Sequence, residues 1–500
     1  MDIQFVNKSI NVFQSSLQQF RRIQQTMEGV VPDINDDIGR IVSVQSSVLL
    51  KGKEAYHGRA TISGEVQAVL LYITEEENQI AFVKLTKDFE LEYEHEEIHP
   101  DLACQIRLYI MNTEARVLNP RKVSVTAEIG GELSAFSRGN DVISTEAAEG
   151  GPEGLHIKEE TTNAYFANLV TEKTFALSEQ YVFPEQNPKP AQLISQNISF
   201  GSAELQQVGG RLILKGTIRV ELYYLSSETP CPQKAVFTSP FSQIIDAGDA
   251  LCTYGRTDIE VTSAYFDLMD TISGEKALDM ELHAVAQISA YGEQQLQYIS
   301  DLYSNMAPVV CQMRERELIS GMHASTEVLN AAESVPLADD CADICCTFST
   351  ISALESGDGK LAATVALEIL YLTREGRLAS VRRSLTLAKE HPQPVDRLMN
   401  AVLRDQDIRQ NGDSADCRLS VELLLESCRR ETIQAVESAQ LDTENPFSLA
   451  DFPTLTLVRV DDESLWELAK RYHSSVERIE ELNDLNGALQ GRLLMIPKQL

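Results

Sequence analysis

"HGRATISGEVQAVLLYI" (residues 57–73) decides the fold, because the chain carries it three times. At an offset of 152 residues stands "GGRLILKGTIRVELYYL" (209–225), where Gly58, Gly64 and Tyr72 fall on Gly210, Gly216 and Tyr224. A third copy, "GKLAATVALEILYLTREG" (359–376), places Tyr371 in the same role. Upstream, Pro32, Pro184 and Pro336 also repeat at that offset. The third copy is therefore about five residues shorter between its Pro and its Tyr, a loss that a surface loop tolerates. A fixed period of this size means tandem copies of one structural unit.

Each copy reads mainly as strands. Val66, Ala68 and Leu70 alternate with Glu65, Gln67 and Val69, and Ile218, Val220 and Leu222 repeat the pattern. Later runs alternate as well: "VSVTAEI" (123–129), "LDMELHAV" (278–285) and "LSVELLL" (419–425). Period-two patterning broken by Gly and Pro indicates half-buried antiparallel strands. "VDRLMNAVLRD" (395–405) fits a helical period better, which predicts a short helix in the unit. The expected fold is mainly β: three tandem strand-rich modules with short helices, over residues 1–150, 151–300 and 301–437. "STEAAEGGPEGLH" (144–156) and "ESAQLDTENPFSLADFP" (437–453) read as exposed linkers, the second occupying 438–453 before a last domain, 454–500.

Composition narrows the function. Hydrophobic residues make up 43% of 500, enough to fill real cores. The charge balance is 43 basic against 75 acidic residues, net −32, which repels nucleic-acid phosphates and anionic lipid. The start of the chain lacks a basic segment followed by an apolar run, so a cytosolic location is expected. Nine cysteines are scattered without any C-x-x-C pair, and Cys341, Cys345 and Cys346 lie in an alternating run. They are expected to be reduced structural thiols, not metal ligands.

One motif argues for an enzyme. His95-Glu96-Glu97-Ile98-His99 matches H-E-x-x-H, which binds zinc only on a helix, where both imidazoles share a face. Here the preceding residues alternate as a strand. At ~3.3 Å per residue the two rings would stand about 13 Å apart, too far to share a zinc. Pro100 disfavours helix at His99, and the second copy has Ala247 and Leu251 at the matching positions. No phosphate-binding loop, G-x-S-x-G or dinucleotide fingerprint is present, and His283 sits in an alternating strand. No catalytic residue, metal or cofactor is assigned.

The C-terminal stretch, 455–497, differs in kind. After a strand, "LTLVRV", Leu465, Leu468, Ala469 and Tyr472 mark one helix face. Ser464 with Glu467 forms a capping-box pattern, and Ser474 with Glu477 a second one, opening a helix whose inner face is Val476, Ile479 and Leu482. "NDLNG" turns the chain and "GRLLMIP" closes it as a strand, giving a small βααβ unit. "SLWELAKRY", "SVERIEELN" and "GRLLMIP" resemble the LysM domain. That resemblance implies a shallow groove for N-acetylglucosamine glycans between two loops. Carried over, the loops comprise Asp461, Asp462, Glu463, Ser464, Leu465 and Trp466, and Asn483, Asp484, Leu485, Asn486, Gly487 and Leu489. Asp462-Glu463 replaces the usual Gly-Asp, which removes a permissive backbone position and adds charge. Trp466, the only tryptophan, is expected in the core, with a partner anchor as the alternative.

"VVPDINDDIGRIVSV" (30–44) and "RVLNPRKVSVTAEI" (116–129) resemble the SPOCS domain, a spore-coat-associated module of endospore-forming bacteria. SPOCS repeats joined to a C-terminal LysM resemble a clostridial family of coat-morphogenesis proteins. The resemblance implies a non-catalytic scaffold in the mother-cell cytoplasm. It would bind the morphogenetic ATPase SpoIVA and tether the coat basement layer at the forespore surface, its LysM gripping protein. The alternative is a peptidoglycan-binding protein acting through the LysM groove. Residues 454–500 carry six basic and eight acidic side chains, so almost all the negative charge lies on the repeats.

Overall fold

The computed structural model describes residues 1–76, 79–201, 203–229, 231–337, 341–448, 453–485 and 489–498, and for residues 11, 16, 140 and 141 the backbone alone. One strand order occurs three times. A long strand comes first: Phe5–Val30, Leu155–Val182 and Val309–Pro336. An antiparallel sheet follows it. In the first copy this is Ile38–Tyr56, Arg59–Thr74 and Ile80–Glu94; in the third it is Cys341–Gly357, Lys360–Thr373 and Leu378–Glu390. In the second copy the first strand is split into Pro190–Phe200 and Glu204–Val208, which pair with Arg211–Ser226 ahead of Gln233–Asp246. A hairpin ends each copy: Ala103–Asn119 with Lys122–Ala147, Tyr254–Asp270 with Lys276–Ser304, and Arg397–Asn411 with Ser414–Leu441. The last strand of each copy returns to pair with its long first strand. Ile62, Val66 and Leu70 of one sheet meet Ile106, Val125 and Ile129 of the other in one core, so the first copy is two sheets face to face.

The opening stretch is the middle strand of its sheet, with Val66, Ala68 and Leu70 buried. Its glycines have specific causes. Gly58 turns the hairpin at φ +79°. Gly64 lies opposite Phe89, and a Cβ there would stand 2.4 Å from the ring. Gly216 faces Phe241 in the same way, at 2.7 Å. In the third copy the position is Ala363, and its partner is the smaller Leu387. Residue and neighbour change together. Gly64→Ala should therefore destabilise by about 1–3 kcal/mol through overpacking. Adding Phe89→Leu should recover most of that loss, measured as the first urea-unfolding midpoint, and a double variant no better than the single one would contradict the pairing.

Arg121 explains the "NPRK" stretch. It donates to the carbonyls of Val31 at 3.2 Å, Pro32 at 3.1 Å and Asn35 at 3.3 Å, and pairs with Asp37 at 3.0 Å. It thereby holds the loop after the first long strand.

The middle strands of all three copies converge. Leu71, Tyr223 and Leu370, each just before the repeated tyrosine, belong to one apolar cluster with Val42, Ile194 and Phe348. The long strands also extend beyond the sandwiches. Ile10, Val12, Ile143, Leu296, Tyr298, Ile433 and Ala435 close a second shared core between them.

Three expectations are corrected. Residues 397–411 form a strand, not a helix, and among the described residues both helices lie in 465–482. Met399 and Arg404 are extra residues at two bulges against 414–441. Once they are left out, Leu398, Ala401, Leu403 and Ile408 fall on one face at period two, so the bulges had imitated a helical period. Cys231 and Cys345 form a disulfide, with Cα atoms 5.4 Å apart, because the second and third copies bring them together from 114 residues away. Finally, neither join is all exposed linker: Ser144 and Thr145 are buried in the strand Lys122–Ala147, and Ala439 and Leu441 are buried at the end of the strand Ser414–Leu441.

Candidate functional site: the C-terminal unit and its dock

Residues 455–497 fold as two antiparallel strands, Leu455–Arg459 and Leu493–Pro497, around two helices, Leu465–Arg471 and Val476–Leu482. The capping box forms: the Glu467 amide donates to Ser464 Oγ at 3.3 Å, and the Ser464 amide to Glu467 Oε2 at 2.7 Å. The second helix starts one residue later than expected, capped by Ser475 Oγ from the Arg478 amide at 3.3 Å. Ser474 instead packs at the helix junction, fully buried. Leu468, Ala469, Ile479, Val460, Leu494 and Ile496 make the core. Leu482, expected inside, is 46% exposed, because the helix ends there and Asn483 turns back to the sheet.

Gln490, one residue past the second of the loops carried over from the resemblance, reaches the first: its Nε2 donates to Asp462 Oδ1 at 2.7 Å. Most polar groups of the two loops serve the fold. Glu463 pairs with Arg471. Asn483 Nδ2 donates to the Ile479 and Met495 carbonyls, both at 2.7 Å, and its Oδ1 accepts the Met495 amide at 2.7 Å. Arg492 donates to the Asp484 carbonyl at 2.8 Å. Leu465, Leu485 and Leu489 lean on the core. Asp461 makes no hydrogen bond or ion pair among the described residues and is exposed. Asn486 and Gly487 lie outside the described residues.

Trp466 is neither pure core nor open to a ligand. Its Nε1 donates to Asp301 Oδ2 at 2.8 Å, and its ring meets Tyr303 edge-on at 4.9 Å. Lys470, one turn on, pairs with Asp301 at 2.7 Å. The Tyr303 hydroxyl donates to the Ser474 carbonyl at 2.8 Å, while its ring stacks on His156 at 4.9 Å. Phe447, before the unit, lies 4.3 Å from His473. These contacts seat the C-terminal unit on the tip of the Leu155–Val182 and Lys276–Ser304 pair. Asp301, Tyr303 and His156 were not foreseen from sequence. The available signal was the Trp466/Lys470 spacing of four, which marks a second helix face beside the core face in a unit too small to bury both.

The three edge strands nearest the centre meet in a polar network. Arg107 and Arg397 pair with Asp258 at 2.6 and 3.0 Å. Burial opposes the Asp258 charge, and the two guanidinium groups outweigh it, holding its carboxyl below the usual range. Gln287 satisfies both backbone groups of Ile106, at 2.7 and 2.6 Å, and Glu260 accepts from the Leu108 amide at 3.1 Å. The free edge of Ala103–Asn119 is thus covered by side chains at Ile106 and Leu108. Burial pushes Glu260 up to about 8. The folded state then binds a proton that the unfolded chain releases above about 4.5, so this contribution to stability falls as pH rises toward 8. Glu260→Gln should flatten that slope in unfolding midpoints taken from pH 6 to 9; an unchanged slope would refute the assignment.

His95–Asp101 is a turn. The Ile98 amide donates to the His95 carbonyl at 3.0 Å, and Ile98 is buried in the first core. Among the described residues, no group of three or more His, Cys, Asp or Glu is placed to hold a metal ion, and no helix is long and apolar enough to cross a membrane.

Fold and site together define a mainly β protein of stacked sheets with a small βααβ unit fastened to its tip. Residues 37–118 match the family described as SipL, SPOCS domain. The match spans the first three-stranded sheet and reaches into its neighbouring edge strand, Ala103–Asn119. It makes the chain similar to SipL-type SPOCS proteins, which are associated with sporulation. No curated protein matches, and no solved structure matches.

Proposed function

We propose that this chain is a non-catalytic scaffold of spore-coat assembly. It holds the coat basement layer at the forespore surface through protein contacts, with the morphogenetic ATPase SpoIVA as partner, in the mother-cell cytoplasm. In this reading the three recurrences of one strand order are three SPOCS modules and the βααβ unit is a LysM domain. The match of residues 37–118 to the SPOCS domain carries the reading. The loop chemistry supports it, since Asn483, Asp462 and Glu463 are engaged within the unit. Linked modules also turn weak single contacts into avid ones. The test is binding of the full chain to purified SpoIVA and its recovery with coat proteins from sporulating cells; failure of both would refute it.

A second reading, binding of peptidoglycan or other N-acetylglucosamine glycan, draws on the Asp462–Gln490 bond, which links the first loop to the residue following the second. Sedimentation of the chain with purified cortex would favour it. Trp466 fluorescence is a poor glycan probe here, because that side chain faces Asp301.

A further inference from the structure

The outer face of the C-terminal β-ribbon is apolar. Val458, Leu494 and Ile496 turn inward to the helices, while Leu455, Leu457, Leu493 and Met495 are 48, 60, 63 and 38% exposed on the opposite face. A solvated face of an antiparallel sheet ordinarily changes to polar residues. Exposed apolar side chains grouped this way, rather than singly, mark an interaction surface.

The two edges of the ribbon differ. Opposed residues in an antiparallel pair alternate between bonding each other and pointing their N–H and C=O outward. Val460 bonds Arg492 at 2.9 Å, and the Lys498 amide bonds the Thr454 carbonyl at 3.0 Å. With Leu457 opposite Met495, the even-numbered residues of the first strand therefore face their partner, and 455, 457 and 459 point outward. On the far side the outward groups of Met495 are both closed by Asn483, at 2.7 Å. On the near side, Leu455, Leu457 and Arg459 have no backbone partner among the described residues. Arg459 is also exposed and makes no ion pair among the described residues, in a chain of net charge −32.

We propose that the Leu455–Arg459 edge accepts an extended segment of a partner protein as a third strand. Its backbone bonds the outward groups of 455, 457 and 459, its alternate apolar side chains lie beside Leu455 and Leu457, and a carboxylate meets Arg459. A second copy of this chain fits less well: self-pairing about Leu457 sets Arg459 against Leu455, offers no carboxylate, and brings two strongly negative molecules together. The inference rests on the reading of the C-terminal unit as a protein-binding module and names the surface used.

The test uses the full chain and two substitutions at one position. Leu457→Pro removes an outward N–H without breaking a ladder bond, and Leu457→Lys charges the edge. Unchanged Trp466 emission shows that the unit stays folded and docked. Both variants should bind SpoIVA at least tenfold more weakly than wild type, and Arg459→Glu should weaken binding too. If wild type binds and both Leu457 variants bind equally well, the edge proposal is overturned while the scaffold reading stands. If wild type does not bind SpoIVA, a random-peptide display selected on the full chain decides. Peptides alternating apolar and acidic residues, with at least a tenfold preference for wild type over Leu457→Pro, support the edge. Peptides without that preference, or no enrichment, overturn it. A concentration-dependent dimer in sedimentation velocity that Leu457→Lys abolishes would assign the edge to a second copy and overturn the proposal.

Discussion

Replacing Arg256 with alanine is expected to destabilise the protein by about 3–5 kcal/mol, the cost of stranding one member of a buried ion pair. Its partner, Glu426, has no exposed surface and receives Arg256 Nε at 2.6 Å as well as an Nη. Arg256 also donates to the Tyr291 hydroxyl at 2.7 Å and lies over that ring at 4.8 Å. The pair joins the second hairpin to the last strand of the third copy, so its loss should uncouple those copies as well as weaken them. Unfolding should begin at a lower denaturant concentration and show a separate early step. Joint replacement, Arg256→Met with Glu426→Gln, removes both charges and should recover most of the loss. A single variant as stable as wild type would mean that water or another cation reaches Glu426, contrary to the packing.

Removing the Tyr303 ring should have the next largest effect. Tyr303→Ala deletes the face shared by His156 and Trp466 together with the bond to Ser474, and truncating a packed aromatic typically costs about 3–5 kcal/mol. The C-terminal unit should come off the tip. As the only tryptophan, Trp466 reports this directly by a red-shifted emission, and proteolysis between 442 and 453 should quicken. Tyr303→Phe keeps the ring and should cost only about 1 kcal/mol. The same dock should respond to acid. Burial lowers the pKa of His156, partly opposed by Glu477, and burial with Lys498 lowers that of His473. The docked state thus favours neutral rings, and its stability, present above about pH 6.5, is lost as pH falls through the lowered values. Trp466 emission that stays constant from pH 7.5 to 5 would contradict this.

Local rules read much of this molecule correctly and stopped where distant residues meet. Alternation at Val66, Ala68 and Leu70 found a strand, since burial on a pleat is a property of neighbours in sequence, while its place in the middle of a sheet is not. Ser464 and Glu467 announced a helix start for the same reason. The strand at 397–411 was misread because Met399 and Arg404 shift its phase, and a bulge is visible only against a partner strand. Cys231 with Cys345, and Asp301 with Trp466, are contacts between separate parts of the chain that no spacing rule connects. At the C-terminal loops, residue identity was legible but availability was not. Asn483 looks like a ligand-binding amide until its three bonds to the unit are seen.

The meeting of Leu71, Tyr223 and Leu370 makes the copies non-interchangeable. One tyrosine fits among two leucines at that centre; a chimaera built from three second copies would force three rings into the same volume. Once repeated units share a centre they stop being spare parts, and each is tailored to its own seat.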